Sequence, residues 1–210
     1  MTYRILHLGL GAFHRAHQAW YINRLIEGGI DSWHIVAGNI RDDMRELTQD
    51  LAAQQGEYTL ETVTPDGEFR YERIRAIARI LPWSADLHAA IAVGRDPATR
   101  ILSFTVTEAG YYTDQNHALD KAHPELRADI DQGTRHTIYG AVAAILEARR
   151  DAAAGPITLL CCDNIRGNGE RFRAALREFL QQRGDTGLLA WVDANASFPN
   201  SMVDRITPRP

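Results

Sequence analysis

Arg4-Ile5-Leu6-His7-Leu8-Gly9-Leu10-Gly11-Ala12-Phe13-His14 is the stretch on which the fold turns. A short apolar run over 4–8 ends in Gly-Leu-Gly, as a buried strand does. Helical periodicity follows at once, from about Ala12 to Glu27. Its apolar positions Ala16, Ala19, Trp20, Ile22, Leu25 and Ile26 are too many for a fully exposed face. Gly28-Gly29 ends it. Strand, glycine turn and helix at the start of a chain form the opening unit of a doubly wound sheet. There the first glycine permits a tight turn, and the second lets the backbone approach a pyrophosphate on the helix N-terminus. His14 stands where the usual fingerprint has its third glycine.

Outward from this unit the alternation continues. Strands are expected over 34–37, 101–106 and 156–162, and helices over 42–55, 86–93, 135–150 and 169–183. The 42–55 helix is expected to be capped by an aspartate and ended by Gly56. The 169–183 helix shows the stripe Phe172, Ala175, Leu176, Phe179, Leu180. Extended runs over 58–64 and 69–77 flank Pro65-Asp66-Gly67 and predict a hairpin. Residues 108–132 read as a long polar loop with one short helix, and 191–198 as a weaker strand. Buried strands alternating with helices predict an α/β fold: a doubly wound parallel sheet with an antiparallel hairpin excursion.

The chain has 210 residues, a net charge of −4 and no basic block, which speaks against a nucleic-acid groove or an anionic-membrane patch. No run of about 18 apolar residues marks a transmembrane helix, and the N-terminus lacks the pattern of a signal peptide. Cys161 and Cys162 are adjacent and badly placed for a mutual bridge, so a reduced, cytoplasmic setting is expected. Of 23 basic residues, 22 are Arg and one is Lys121.

Several residues carry the expected chemistry. Gly9, Gly11, Ala12 and Phe13 form the turn that would meet a dinucleotide. His14 and Arg15, at the helix start, suit phosphate or substrate contact. A metal at His14 and His17 is not expected, because no acid or cysteine completes the set nearby. After the second strand, Asn39 suits a ribose hydroxyl and Asp42 or Asp43 could reach it from the loop, unless they only cap the helix. Arg41 would instead favour a 2′-phosphate, so NAD and NADP both stay open here. Thr107 and Glu108 end one strand. Asn164 ends another, in Cys161-Cys162-Asp163-Asn164-Ile165-Arg166-Gly167-Asn168-Gly169. The carboxyl ends of parallel strands face the ligand crevice, with Asp163 as an alternative loop or helix cap.

These motifs resemble a known family. Gly9–Gln18 (GLGAFHRAHQ), Thr105–Tyr111 (TVTEAGY), Cys162–Gly169 (CDNIRGNG) and Asn200–Pro208 (NSMVDRITP) are similar, in order, to four motifs of the mannitol dehydrogenase family of polyol-specific long-chain dehydrogenases. Ala16–Leu25 and Glu57–Pro65 most resemble its arabinitol-oxidising branch; the mannitol 2-dehydrogenases and uronate reductases are the alternatives. The resemblance implies that residues 1–210 are one Rossmann-type NAD(P)-binding domain, preceding a helical C-terminal domain. It implies NAD-dependent, metal-free oxidation of a secondary alcohol, D-arabinitol to D-xylulose, or the reverse ketose reduction. It implies that Asn200, just before the VDR motif, helps hold the substrate oxygen, while a lysine of the C-terminal domain acts as base. Lys121 does not match that lysine's motif, so the 210 residues are expected to be the cofactor-binding half and inactive alone. Asp204 and Arg205 are expected to pair, ordering the site or the domain junction. A freestanding, non-catalytic dinucleotide-binding module is the rival expectation.

Overall fold

The computed structural model describes residues 2–113, 118–203 and 206–207, with Glu108 and Ala109 as backbone only. The expected Asp204–Arg205 pair lies outside the described residues. In chain order the elements are β1 (Tyr3–Leu8), α1 (Ala12–Ala16), α2 (Gln18–Glu27), β2 (Trp33–Gly38), α3 (Arg45–Ala53), β3 (Tyr58–Val63), β4 (Phe69–Ile74) and β5 (Ile77–Ile80). There follow α4 (His88–Gly94), β6 (Thr99–Phe104), a 3-10 turn (Glu108–Tyr111), α5 (Pro124–Gln132), α6 (Ile138–Asp151), β7 (Ile157–Cys161), α7 (Asn168–Gln182), α8 (Thr186–Asn195) and β8 (Ala196–Ser197).

Six strands form one sheet in the order β5-β2-β1-β6-β7-β8, and every pairing is parallel. β3 and β4 pair antiparallel outside it, with Tyr58 opposite Ile74 and Val63 opposite Phe69. Without this excursion the sheet has the doubly wound order 3-2-1-4-5-6. The chain reverses direction across the sheet at β1, where β2 lies on one side and β6 on the other.

The pleat of β1 sends alternate side chains to two cores. Leu6 and Leu8 join Phe104, Tyr139, Ile145, Phe172, Leu176 and Phe179 on one face. Ile5 joins Ile35, Leu51, Ile74 and Ile77 on the other. The α7 stripe buries Phe172, Ala175, Leu176, Phe179 and Leu180 as its periodicity predicts. Each large side chain there contributes about 1.5–3 kcal/mol of burial.

Several boundaries differ from the sequence reading. The first helix breaks at His17, where φ −112° and ψ −90° leave the helical region. The helix expected from Asp42 begins at Arg45, and no side chain caps it; Asp42 instead pairs with Arg45. The extended run after the hairpin turn divides, because Ile77–Ile80 leaves the hairpin to pair with β2. Most of 191–198 is the end of α8, capped by Asp185 accepting from Leu188 N–H, and only Ala196–Ser197 is strand. The adjacent Leu188, Leu189, Trp191 and Val192 look the same to a helix buried on one side and to a buried strand.

Candidate dinucleotide-binding cleft

A cleft of about 1150 Å³ opens at the carboxyl ends of β1, β2, β6 and β7, across the point where strand order reverses. Of the residues singled out in the sequence for cofactor contact, Gly9, Gly11, Ala12, Phe13, Asn39, Thr107 and Asn164 line it, together with Arg41 and Asp43. This is where ligands of open α/β sheets bind.

The two glycines do different work. Gly9 has φ +106°, and a Cβ there would stand 2.1 Å from the Thr105 carbonyl oxygen. It is required by close packing of the turn on β6. Gly11 has φ −92°, and a Cβ there would meet nothing within 4 Å. It faces open cleft, so its missing side chain leaves room for a ligand against the backbone.

Buried polar side chains hold the turn from below. Gly9 N–H donates to the Gly38 carbonyl at 2.9 Å, and Leu10 N–H to Asn39 Oδ1 at 2.7 Å. Asn39 therefore ties β2 to the glycine turn with its oxygen. The Gly9 carbonyl receives Thr105 Oγ1–H at 2.7 Å and faces His7 Nε2 at 3.1 Å. His7 Nδ1 lies 2.8 Å from Ser103 Oγ, which reaches Gln18 at 2.9 Å. Burial lowers the His7 pKa to about 3, so the ring is neutral. The sequence reading missed this network, since a histidine inside an apolar strand run carries no mark of its partners.

His14 and Arg15 do not line the cleft. His14 is buried and stacks on His7 with centroids 3.4 Å apart, and neither of its ring nitrogens has a hydrogen-bond partner. Burial, then the neighbouring His7, Arg15 and His17, push its pKa well down. It therefore sits under the turn as a neutral ring. Arg15 lies over the Tyr58 ring at 5.8 Å, and its carbonyl accepts Tyr58 O–H at 2.5 Å, fastening the hairpin to α1.

The opposite wall comes from β6 and β7. Asp163 is buried, and its carboxylate accepts Val106 N–H and Thr107 N–H at 3.0 Å and Tyr111 O–H at 2.9 Å. Burial raises its pKa against these hydrogen bonds. It caps the β6 loop and does not cap the following helix. Thr107 has φ +63°, a conformation rare outside glycine. Asn164, next along, is exposed and lines the cleft. Glu108 opens the 3-10 turn. Cys161 and Cys162 are buried free thiols, and burial pushes both up to about 12.

The Asn168-Gly169 pair stitches the far segment on. Asn168 donates to the Cys161, Asp163 and Ser201 carbonyls and accepts Ser201 N–H at 2.9 Å. A Cβ on Gly169 would lie 2.4 Å from the Pro199 carbonyl oxygen. Asn200 is not among the cleft-lining residues. Its Oδ1 accepts Gly169 N–H at 3.0 Å and Glu170 N–H at 3.2 Å, capping α7 from a distance. Lys121 forms an exposed ion pair with Glu178 at 3.1 Å, outside the cleft. Among the described residues no helix is long and apolar enough to cross a membrane, and no three His, Cys, Asp or Glu side chains gather as a metal-holding group.

The family model of the mannitol dehydrogenase Rossmann domain matches residues 3–210. The chain belongs to the mannitol dehydrogenase family. It is 61% identical over 209 residues to a D-arabinitol 4-dehydrogenase of Ralstonia nicotianae, covering 98% of this chain and 44% of that protein. It is 55% identical to the D-arabinitol 4-dehydrogenase of Klebsiella pneumoniae, covering 98% of this chain and 45% of the relative. The mannitol 2-dehydrogenase of Pseudomonas fluorescens, solved as a ternary complex with NAD and D-mannitol, superposes with a TM-score of 0.89 at 36% identity, covering 99% of this chain and 43% of that one. The chain thus spans under half the length of these relatives and corresponds to their Rossmann half.

Proposed function

We propose that this member of the mannitol dehydrogenase family is the cofactor-binding half of an NAD-dependent polyol dehydrogenase, oxidising D-arabinitol at C4 to D-xylulose or running the reverse reduction. The observation that carries the reading is the cleft at the strand-order reversal, with an open Gly11 against it. The residues fit a dinucleotide. Gly11, Ala12 and Phe13 would hold the pyrophosphate, Asn39 the adenosine ribose, and Thr107, Glu108 and Asn164 the nicotinamide end. The nicotinamide supplies the hydride acceptor when bound.

The chain's own residues set the rest. Asn200 has its oxygen engaged at α7, which leaves its amide N–H groups as the donor that a polarised alcohol or ketone oxygen needs. Hydride leaves an alcohol only as a base removes the hydroxyl proton. No lysine lines the cleft, and Lys121 is taken by Glu178. The family resemblance implies a lysine base carried by a C-terminal domain, which would also complete the polyol site.

Calorimetry and fluorescence titration test the first half: the 210-residue chain should bind NAD and NADH weakly. No binding at millimolar concentration overturns it. The chain with NAD and D-arabinitol should form no NADH, and stoichiometric formation overturns the external base. Full-length protein assayed against arabinitol, mannitol and uronates tests the substrate.

A further inference from the structure

Three residues past the end of β2, Arg41 lines the cleft where an acid holds the ribose 2′-hydroxyl in NAD-binding folds, or an arginine holds the 2′-phosphate of NADP. Residue type alone reads as NADP. The contacts read the other way. Arg41 Nη2 donates to Glu125 Oε2 at 2.5 Å and to Tyr112 Oη at 2.5 Å, while Tyr112 O–H donates to the same Glu125 oxygen at 2.6 Å. The three groups close a triangle across the cleft. The His123 ring backs it edge-on to Tyr112, with centroids 4.6 Å apart.

We propose that Glu125 and Tyr112 determine the choice between NAD and NADP by holding Arg41. The inference rests on the dinucleotide reading above and deepens it. While Arg41 is held, its charge is neutralised by Glu125, and a 2′-phosphate approaching the guanidinium meets the Glu125 carboxylate beside it. Asp43, also lining the cleft, adds a second negative charge, and Asp42 is taken by Arg45. A ribose carrying only hydroxyls meets no such repulsion and finds carboxylate acceptors. Glu125 is thus a positioning residue, and the arginine becomes a phosphate ligand only when released.

The test is fluorescence titration of the chain with NADH and NADPH at low ionic strength. The unsubstituted chain should bind NADH at least tenfold more tightly than NADPH. Glu125→Gln should raise relative affinity for NADPH about tenfold. Adding Arg41→Ala should abolish that gain, which a merely structural role of Glu125 would not do. Tyr112→Phe removes one hydroxyl and keeps the ring. It should shift the ratio about threefold in the same direction, covering the case in which Glu125→Gln does not fold. An unchanged ratio in both variants, or a shift that survives loss of Arg41, overturns the inference while NADH binding still stands. Failure of the unsubstituted chain to bind either nucleotide overturns the dinucleotide reading itself.

Discussion

The Asp163 carboxylate accepts the Thr107 N–H at 3.0 Å, and Thr107 sits at φ +63°. One buried acid thereby holds a strained residue at the mouth of the cleft. Strain of this kind persists only where surrounding contacts outweigh it. Asp163→Ala strands the Val106 and Thr107 backbone donors and leaves the Tyr111 hydroxyl only Cys161 Sγ, so it should cost about 2–4 kcal/mol in urea denaturation. With the clamp gone, Thr107→Gly should recover about 1 kcal/mol, since glycine takes positive φ freely. If Thr107→Gly restores nothing in the Asp163→Ala background, the clamp does not hold strain.

Gly9 and Gly11 should separate folding from binding. Gly9→Ala adds a Cβ 2.1 Å from the Thr105 carbonyl oxygen in a left-handed conformation, and should destabilise the chain by several kcal/mol. Gly11→Ala adds one that touches nothing, at an ordinary φ, and should change stability by less than about 1 kcal/mol. Its methyl group projects into the ligand's space, so NADH affinity should fall at least tenfold. Thermal melts and NADH titration of both variants check the split; equal melting losses would refute it.

These contrasts mark how far the sequence could be read. The sheet, the hairpin and the cleft were legible because periods of 2 and 3.6 and the Gly-Leu-Gly break depend on local spacing. The division of 69–80 into β4 and β5 was not, because both pieces are extended and only their partners differ. Neither was the burial of His14, whose setting is decided by a ring 7 residues earlier and one strand away. Asn200 was legible as a motif residue, but its cap on α7 depends on a contact 31 residues back. The Arg41–Glu125 pair spans 84 residues and ends in a polar segment with no periodicity to place it.

Stability should fall below neutral pH. His7 keeps a folded pKa near 3, against the ordinary 6.5, so between those values the unfolded chain takes up a proton that the folded chain refuses. Each such histidine lowers stability by up to about 1.4 kcal/mol per pH unit as pH falls through that window. His14, also shifted down, adds in the same direction. The raised carboxyl of Asp163 acts oppositely, above its ordinary 3.8, because there the folded chain holds the extra proton. The urea midpoint should therefore drop from pH 7 to pH 5. His14→Phe keeps the stacked ring and removes two unpartnered nitrogens, so it should flatten that drop. An unchanged pH slope in His14→Phe would exclude its share.

Asn200 should prove to have two separable roles. Its oxygen caps α7 through Gly169 and Glu170, a contribution of about 1 kcal/mol. Asn200→Asp keeps an acceptor at the positive end of the helix and should leave stability within about 0.5 kcal/mol. It removes the amide donor that the proposed reaction needs. In the full-length enzyme, Asn200→Asp should therefore lower kcat at least a hundredfold with an unchanged melting temperature, whereas Asn200→Ala should lower both. Equal kcat in Asn200→Asp and the unsubstituted enzyme would leave Asn200 as a helix cap and nothing more.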